Sequence, residues 1–131
     1  MEEQIKHYEA KLKYEIDSAD LFAALKAEEK IIVIDARKKE GYEIEHIPGA
    51  MNLPHRDMNE TNTTKLDKDL QYVTYCDGIG CNASTQGALK MAKLGFKVQE
   101  LIGGLDWWKR DGYSTEGKES VTTDQMVRCF C

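Results

Sequence analysis

The chain has 131 residues, 41% of them hydrophobic and 31% charged, and a net charge of −5. At roughly 100–200 residues per domain this length predicts one domain, and the composition excludes a disordered, fibrous or membrane-spanning chain. The acidic balance argues against nucleic acid or an anionic membrane surface as a partner. The charged start, MEEQIKHYEA, lacks the apolar core of a secretory signal, so a cytoplasmic protein is expected.

Within residues 3–12, Ile5, Tyr8 and Leu12 fall at helical spacing and predict a short amphipathic helix, able to serve the domain's own core or a homodimer. Asp17 and Ser18 offer N-caps to a second helix with Leu21, Ala24 and Leu25 on one face. Ile31 to Ile34 is a continuous β-branched run, the mark of a central strand buried on both faces. The polar stretch Asn59 to Lys65 reads as a surface loop. A second strand covers Gln71 to Tyr75 and ends at Cys76. A glycine-containing loop, 77–82, leads into a helix over 84–94, stopped by Gly95. Phe96 to Ile102 is a third strand, Gly103-Gly104 turns it, and a short helix carries Trp107 and Trp108. Alternating strands and helices predict an α/β fold: a central, mostly parallel sheet flanked by helices on both faces. Ligands bind beyond the carboxyl ends of strands in such sheets, where Cys76 stands.

Four cysteines occur, at 76, 81, 129 and 131. In a cytosolic chain this uneven placement points to thiol chemistry rather than a disulfide scaffold. Around Cys76 the loop reads Asp77-Gly78-Ile79-Gly80-Cys81-Asn82. Its two glycines allow a tight turn with inward N–H groups, and the following helix contributes its positive end. Such a cradle lowers a thiol pKa and suits a thiolate, a persulfide or a bound oxyanion. The plainer reading is a buried cysteine at a strand end. Cys81 is either a resolving thiol, which would attack a Cys76 persulfide and leave a Cys76–Cys81 disulfide, or a small residue packing the loop base. Zinc held by the four cysteines would need an unusual ligand spacing, so no metal is expected.

Three separated segments resemble the single-domain rhodanese family. Ile31 to Ala36-Arg37 resembles its apolar strand followed by Asp-x-Arg, with Asp35 and Arg37 in those places. Glu40 to Pro54, containing His46-Ile47-Pro48-Gly49-Ala50, resembles its central signature. Gly103-Gly104 through Gly112-Tyr113 resembles its closing Gly-Gly-x-x-x-Trp-x-x-x-Gly-Tyr. The resemblance implies a helical extension over 1–14, a rhodanese-like domain over 15–116 and a tail over 117–131. It also implies a sulfurtransferase without a cofactor. Cys76 would take sulfane sulfur from a thiosulfate- or persulfide-type donor and pass it to cyanide or to a thiol, small molecule or protein. By the same resemblance Asp35, Arg37, His46, Pro48 and Gly49 are structural, with Glu40 or Glu43 as partners of the Asp35–Arg37 pair, and Trp108 packs the core. Arg56, then Arg37, are candidate cations at the pocket rim, and Trp107 is a candidate rim aromatic. A thiol redox protein using Cys76 and Cys81, and a non-catalytic binding module, are the alternatives.

Two departures stand out. Glu45 replaces the glycine before His46, a change expected on a surface turn. In the loop, Asp77 and Cys81 occupy places where many members carry basic residues, and no Arg or Lys follows Cys76 until Lys90. The related phosphatases need an Arg where Asn82 stands, which argues against that activity.

Overall fold

The computed structural model describes residues 1–120. Five strands form one sheet: β1 (Glu15–Ile16), β2 (Ile31–Asp35), β3 (Met51–Asn52), β4 (Gln71–Tyr75) and β5 (Lys97–Leu101). Their order is β1-β5-β4-β2-β3 and every pairing is parallel. The helices are α1 (Glu2–Tyr14), α2 (Ser18–Lys26), α3 (Lys39–Ile44), α4 (Ala83–Lys93) and α5 (Gly104–Arg110), with a 3-10 turn at His55–Asp57. No helix among the described residues is long and apolar enough to cross a membrane.

The β-branched run of β2 lies inside the sheet, between β4 and β3, and both of its faces are apolar because helices cover both. In register, Val33 pairs with Val73, and Ile32 with Tyr72. Alternation then sends Val33, Val73 and Leu101 to one face, against Leu21 of α2 and Leu105 and Trp108 of α5. Ile34 and Tyr72 go to the other face, against Met91 of α4, Phe96 and Met58. The expected layers, helices on both faces of a parallel sheet, are therefore present. Asp17 caps α2 by accepting the Asp20 N–H at 2.8 Å.

Three elements lie outside the predicted set: β1, α3 and β3. Two-residue strands carry too little alternation to be seen in sequence. Helix α3 has a glycine in its middle, Gly41, which argues against a helix until tertiary contacts are known. That glycine has a positional reason. A Cβ there would sit 3.3 Å from Nη1 of Arg37, so its absence leaves room for the guanidinium.

Helix α1 has no buried residue, and its Gln99 contact is a single bond from that side chain to the Lys13 carbonyl. At the other end, residues assigned from sequence to the tail begin docked. The N–H groups of Lys118 and Glu119 donate to the carbonyls of Glu43 and Ile44. Cys129 and Cys131 lie outside the described residues.

Candidate active site

The carboxyl ends of β2, β4 and β5 bring together Asp35, Cys76 and the Gly103-Gly104 turn. Cys76 follows the last residue of β4 and is 1% exposed. Its carbonyl accepts the Leu105 N–H at 2.9 Å, and the Asp77 carbonyl accepts the Asp106 N–H at 2.8 Å. The first turn of α5 thus clamps the root of the loop. This close approach needs glycine at 104, where φ is +58° and a Cβ would lie 2.4 Å from the Cys76 carbonyl oxygen. Gly104→Ala is expected to destabilise the protein by about 2 kcal/mol or more, from the left-handed backbone and a clash that backbone cannot relieve cheaply. Gly80→Ala meets only open space and should change stability by less than about 0.5 kcal/mol. Thermal denaturation of the pair checks the contrast.

Cys76 and Cys81 are joined by a disulfide, with Cα atoms 6.3 Å apart. A turn in which the Cys81 N–H donates to the Gly78 carbonyl at 3.2 Å brings the second cysteine back over the first. In this state Cys76 carries no thiolate for a cradle to stabilise. Neither Gly78 nor Gly80 has positive φ. The N–H groups of Asp77, Gly78, Ile79, Gly80 and Asn82 find no protein acceptor among the described residues. They remain available to a ligand. Behind them, Glu100 of β5 accepts from Thr85 at 2.7 Å and from Ser84 at 3.3 Å, fixing the first turn of α4.

A cavity of about 300 Å³ opens beside the loop, lined by Arg37, Lys38, Pro54, His55, Arg56, Asp77 and Cys81 among others. The loop itself supplies no cation, as the sequence shows, but the segments after β2 and β3 do. Arg56 lies on this cavity. Lys38 and His55 were missed; both directly follow motif residues at strand ends, the one signal that could have placed them. Lys90 donates to the His55 carbonyl at 2.8 Å. Burial, then the neighbouring Lys90 and Arg56 charges, hold the His55 pKa below its usual value. Trp107 does not join the cavity. It is half exposed, with the Arg110 guanidinium 5.6 Å over its ring. The rim role expected for it is corrected: Trp107 and Trp108 are successive residues of α5, and Trp108 takes the inward face, 2% exposed, donating to the Ser114 carbonyl.

Arg37 reaches the cavity but its guanidinium is engaged throughout. Nε and Nη2 bond the Asp35 carboxylate, Nη2 also bonds the carbonyls of Gly41 and Glu45, and Nη1 meets Asp77 at 3.0 Å. Those carbonyls, not the Glu40 or Glu43 side chains, tie the pair to its neighbours, because Asp35 already satisfies the charge. Burial alone would lower the Arg37 pKa; the bonds and attraction to Asp35 outweigh it and raise it. Asp35 is fully buried and also accepts from the Tyr75 hydroxyl at 2.9 Å. Burial, then Asp35, push the Tyr75 pKa up, so it stays a donor. The Tyr75 oxygen accepts the Ile47 N–H at 3.0 Å.

That bond anchors the Ile47–Ala50 turn, with Pro48 leading and Gly49 at φ +80°. His46 lies 2.6 Å through Nδ1 from the Tyr42 carbonyl and stacks on the Tyr42 ring. Glu45 is not on a surface turn. It is buried, with Lys109 at 2.8 Å and the Thr115 hydroxyl at 2.8 Å. A buried carboxylate is tolerated there because both oxygens are paired.

Comparison with known proteins adds to this geometry. Residues 18–111, more than half the chain, match the family model described as Rhodanese-like domain. The thiosulfate sulfurtransferase GlpE of Coxiella burnetii is 36% identical over 81 residues, spanning 60% of this chain and 72% of GlpE. Among solved structures, the BH2092 protein of Bacillus halodurans aligns with a TM-score of 0.86 at 43% identity, covering 91% of this chain and 88% of that one. The rhodanese-like domain of Alr3790 from Anabaena gives 0.73 at 31% identity, covering 80% of each chain.

Proposed function

The chain belongs to the rhodanese-like domain family, and on that premise we propose that it is a sulfurtransferase whose nucleophile is Cys76. The observation that carries this reading is the position of Cys76. It follows the last residue of a central strand, at the root of a loop with unpaired N–H donors, and Asp77 and Cys81 of that loop line a cavity rimmed by cations. GlpE, which the chain resembles, supports thiosulfate as one donor to test.

Once the disulfide is reduced, the Cys76 thiolate attacks the outer sulfur of the donor. The S–S bond of thiosulfate breaks and sulfite leaves with the electron pair; from a persulfide donor a thiolate leaves. The resulting Cys76 persulfide carries its negative charge on the outer sulfur, towards the loop N–H groups, which stabilise it electrostatically. Cyanide or a thiol then attacks that outer sulfur and Cys76 departs as thiolate. No net oxidation occurs. Arg37 is committed to Asp35 and Asp77, so Arg56 and Lys38 are the cations that meet the anionic part of a donor.

The test is intact-mass measurement of the reduced protein after incubation with thiosulfate or glutathione persulfide. A gain of one sulfur atom in the wild type or in Cys81→Ser, discharged by cyanide as thiocyanate, supports transfer; no gain in either protein with either donor sinks the reading. The Cys76–Cys81 disulfide favours one rival, a dithiol redox protein, whose wild type would lose two hydrogens and whose Cys81→Ser variant would gain no sulfur.

Arg56→Gln should raise KM for thiosulfate roughly two- to fivefold with a smaller change in kcat, since Arg56 is an exposed charge. The effect should shrink as salt is added. Steady-state thiocyanate formation at two ionic strengths measures it.

A further inference from the structure

Resting on the sulfurtransferase reading, we propose that Cys81 discharges the Cys76 persulfide within the loop, so that the protein also releases sulfide at the expense of a low-molecular-weight thiol. Two observations carry this. First, the two sulfurs are bonded while the loop root stays clamped: the Cys76 and Asp77 carbonyls keep their bonds to Leu105 and Asp106. Cys81 therefore reaches the inner sulfur of Cys76 without unfastening the site. Second, the pair is asymmetric in access. Cys76 is 1% exposed, whereas Cys81 is only half-buried and lines the cavity shared with Arg56.

The chemistry follows from reach and access. The Cys81 thiolate attacks Sγ of Cys76, the bond to the outer sulfur breaks, and that sulfur leaves as hydrosulfide with the electron pair. The sulfane sulfur gains two electrons and the two cysteine sulfurs give them up, forming the disulfide. An external thiolate next attacks the accessible Sγ of Cys81, and Cys76 is the leaving group. Cys76 is thereby restored as thiolate, while a mixed disulfide sits on Cys81. A second thiol clears it, giving the external disulfide. In sum, one sulfane sulfur and two thiols yield one sulfide and one disulfide. Cys81 then sets how bound sulfur divides between transfer and release.

The experiment uses the full chain and its Cys81→Ser and Cys81→Ala variants, each reduced, loaded with glutathione persulfide and freed of donor and thiol. The wild-type adduct should decay to a form lacking the extra sulfur and two hydrogens, with one equivalent of sulfide. In both variants the adduct should last about tenfold longer or more, because they lack an intramolecular thiol of high effective concentration. Its sulfur should remain labile to cyanide. Equal lifetimes in all three proteins, or a disulfide mapping to Cys129 or Cys131, overturn the proposal. If none of the proteins loads sulfur, it is the sulfurtransferase reading that fails. Limiting glutathione added to the oxidised wild type, followed by acid quench and fragmentation, should place the mixed disulfide on Cys81. Finding it on Cys76 refutes the order of attack.

Discussion

Cys76→Ser is expected to abolish sulfur loading and to lower thiocyanate formation by at least about a thousandfold, equivalent to about 4 kcal/mol of transition-state stabilisation. A serine hydroxyl at neutral pH is almost wholly protonated. It forms no stable bond to sulfane sulfur, so the covalent route is closed rather than slowed. The fold should survive. Cys76 is placed by backbone bonds from its carbonyl to Leu105 and by strand β4, neither of which involves sulfur. The variant also lacks the Cys76–Cys81 bond, so its stability should be compared with that of the reduced wild type. Circular dichroism of the two, with intact mass after donor treatment, separates lost chemistry from lost structure. Retention of a cyanide-labile sulfur adduct in Cys76→Ser would assign the nucleophile elsewhere.

Asp35→Ala should destabilise the protein by about 3–5 kcal/mol, the usual cost of leaving a buried ionic partner unpaired. Asp35 holds Arg37 through its backbone N–H and the Nε–Nη2 edge of the guanidinium, and it accepts from Tyr75. Removing the carboxylate strands a cationic side chain that is 11% exposed, with only Asp77, 73% exposed, to balance it. The damage spreads because Tyr75 also anchors the turn at Ile47. Asp35→Asn keeps the shape and some of the bonds, so it should lose less. Urea denaturation measures both: the midpoint should fall in the order wild type, Asn, Ala, with the slope unchanged. Equal stabilities would mean that the Arg37 carbonyl partners suffice by themselves.

Much of this molecule is legible from its sequence, for reasons that differ by element. The run Ile31–Ile34 identifies a strand covered on both faces, and α2 and α5 on one side and α4 on the other supply that cover. Asp17 announces the start of α2 because a cap is a local device. The edge strands Glu15–Ile16 and Met51–Asn52 leave no such mark; they exist because β5 and β2 offer them a partner. In the site, residues next to Cys76 were found by their position along the chain. The rest of the rim was harder, since Lys38 and His55 approach from other strand ends and acquire a role only once the sheet is assembled. Glu45 shows the same limit in reverse: a charge beside a turn reads as solvent-facing until Lys109 and Thr115 are seen to meet it.

The clamp at the root of the loop has a consequence for how the site comes into being. The donors that hold the carbonyls of Cys76 and Asp77 belong to Leu105 and Asp106, which leave the ribosome well after the loop. Until α5 docks, the two carbonyls that follow strand β4 lack these partners, and only the strand itself places the cysteine at its tip. The setting of Cys76 is thus among the last features of the domain to be defined during synthesis. A chain truncated before Gly103 would keep Cys76, the whole 77–82 loop and Cys81, and still lack the geometry that makes them a site.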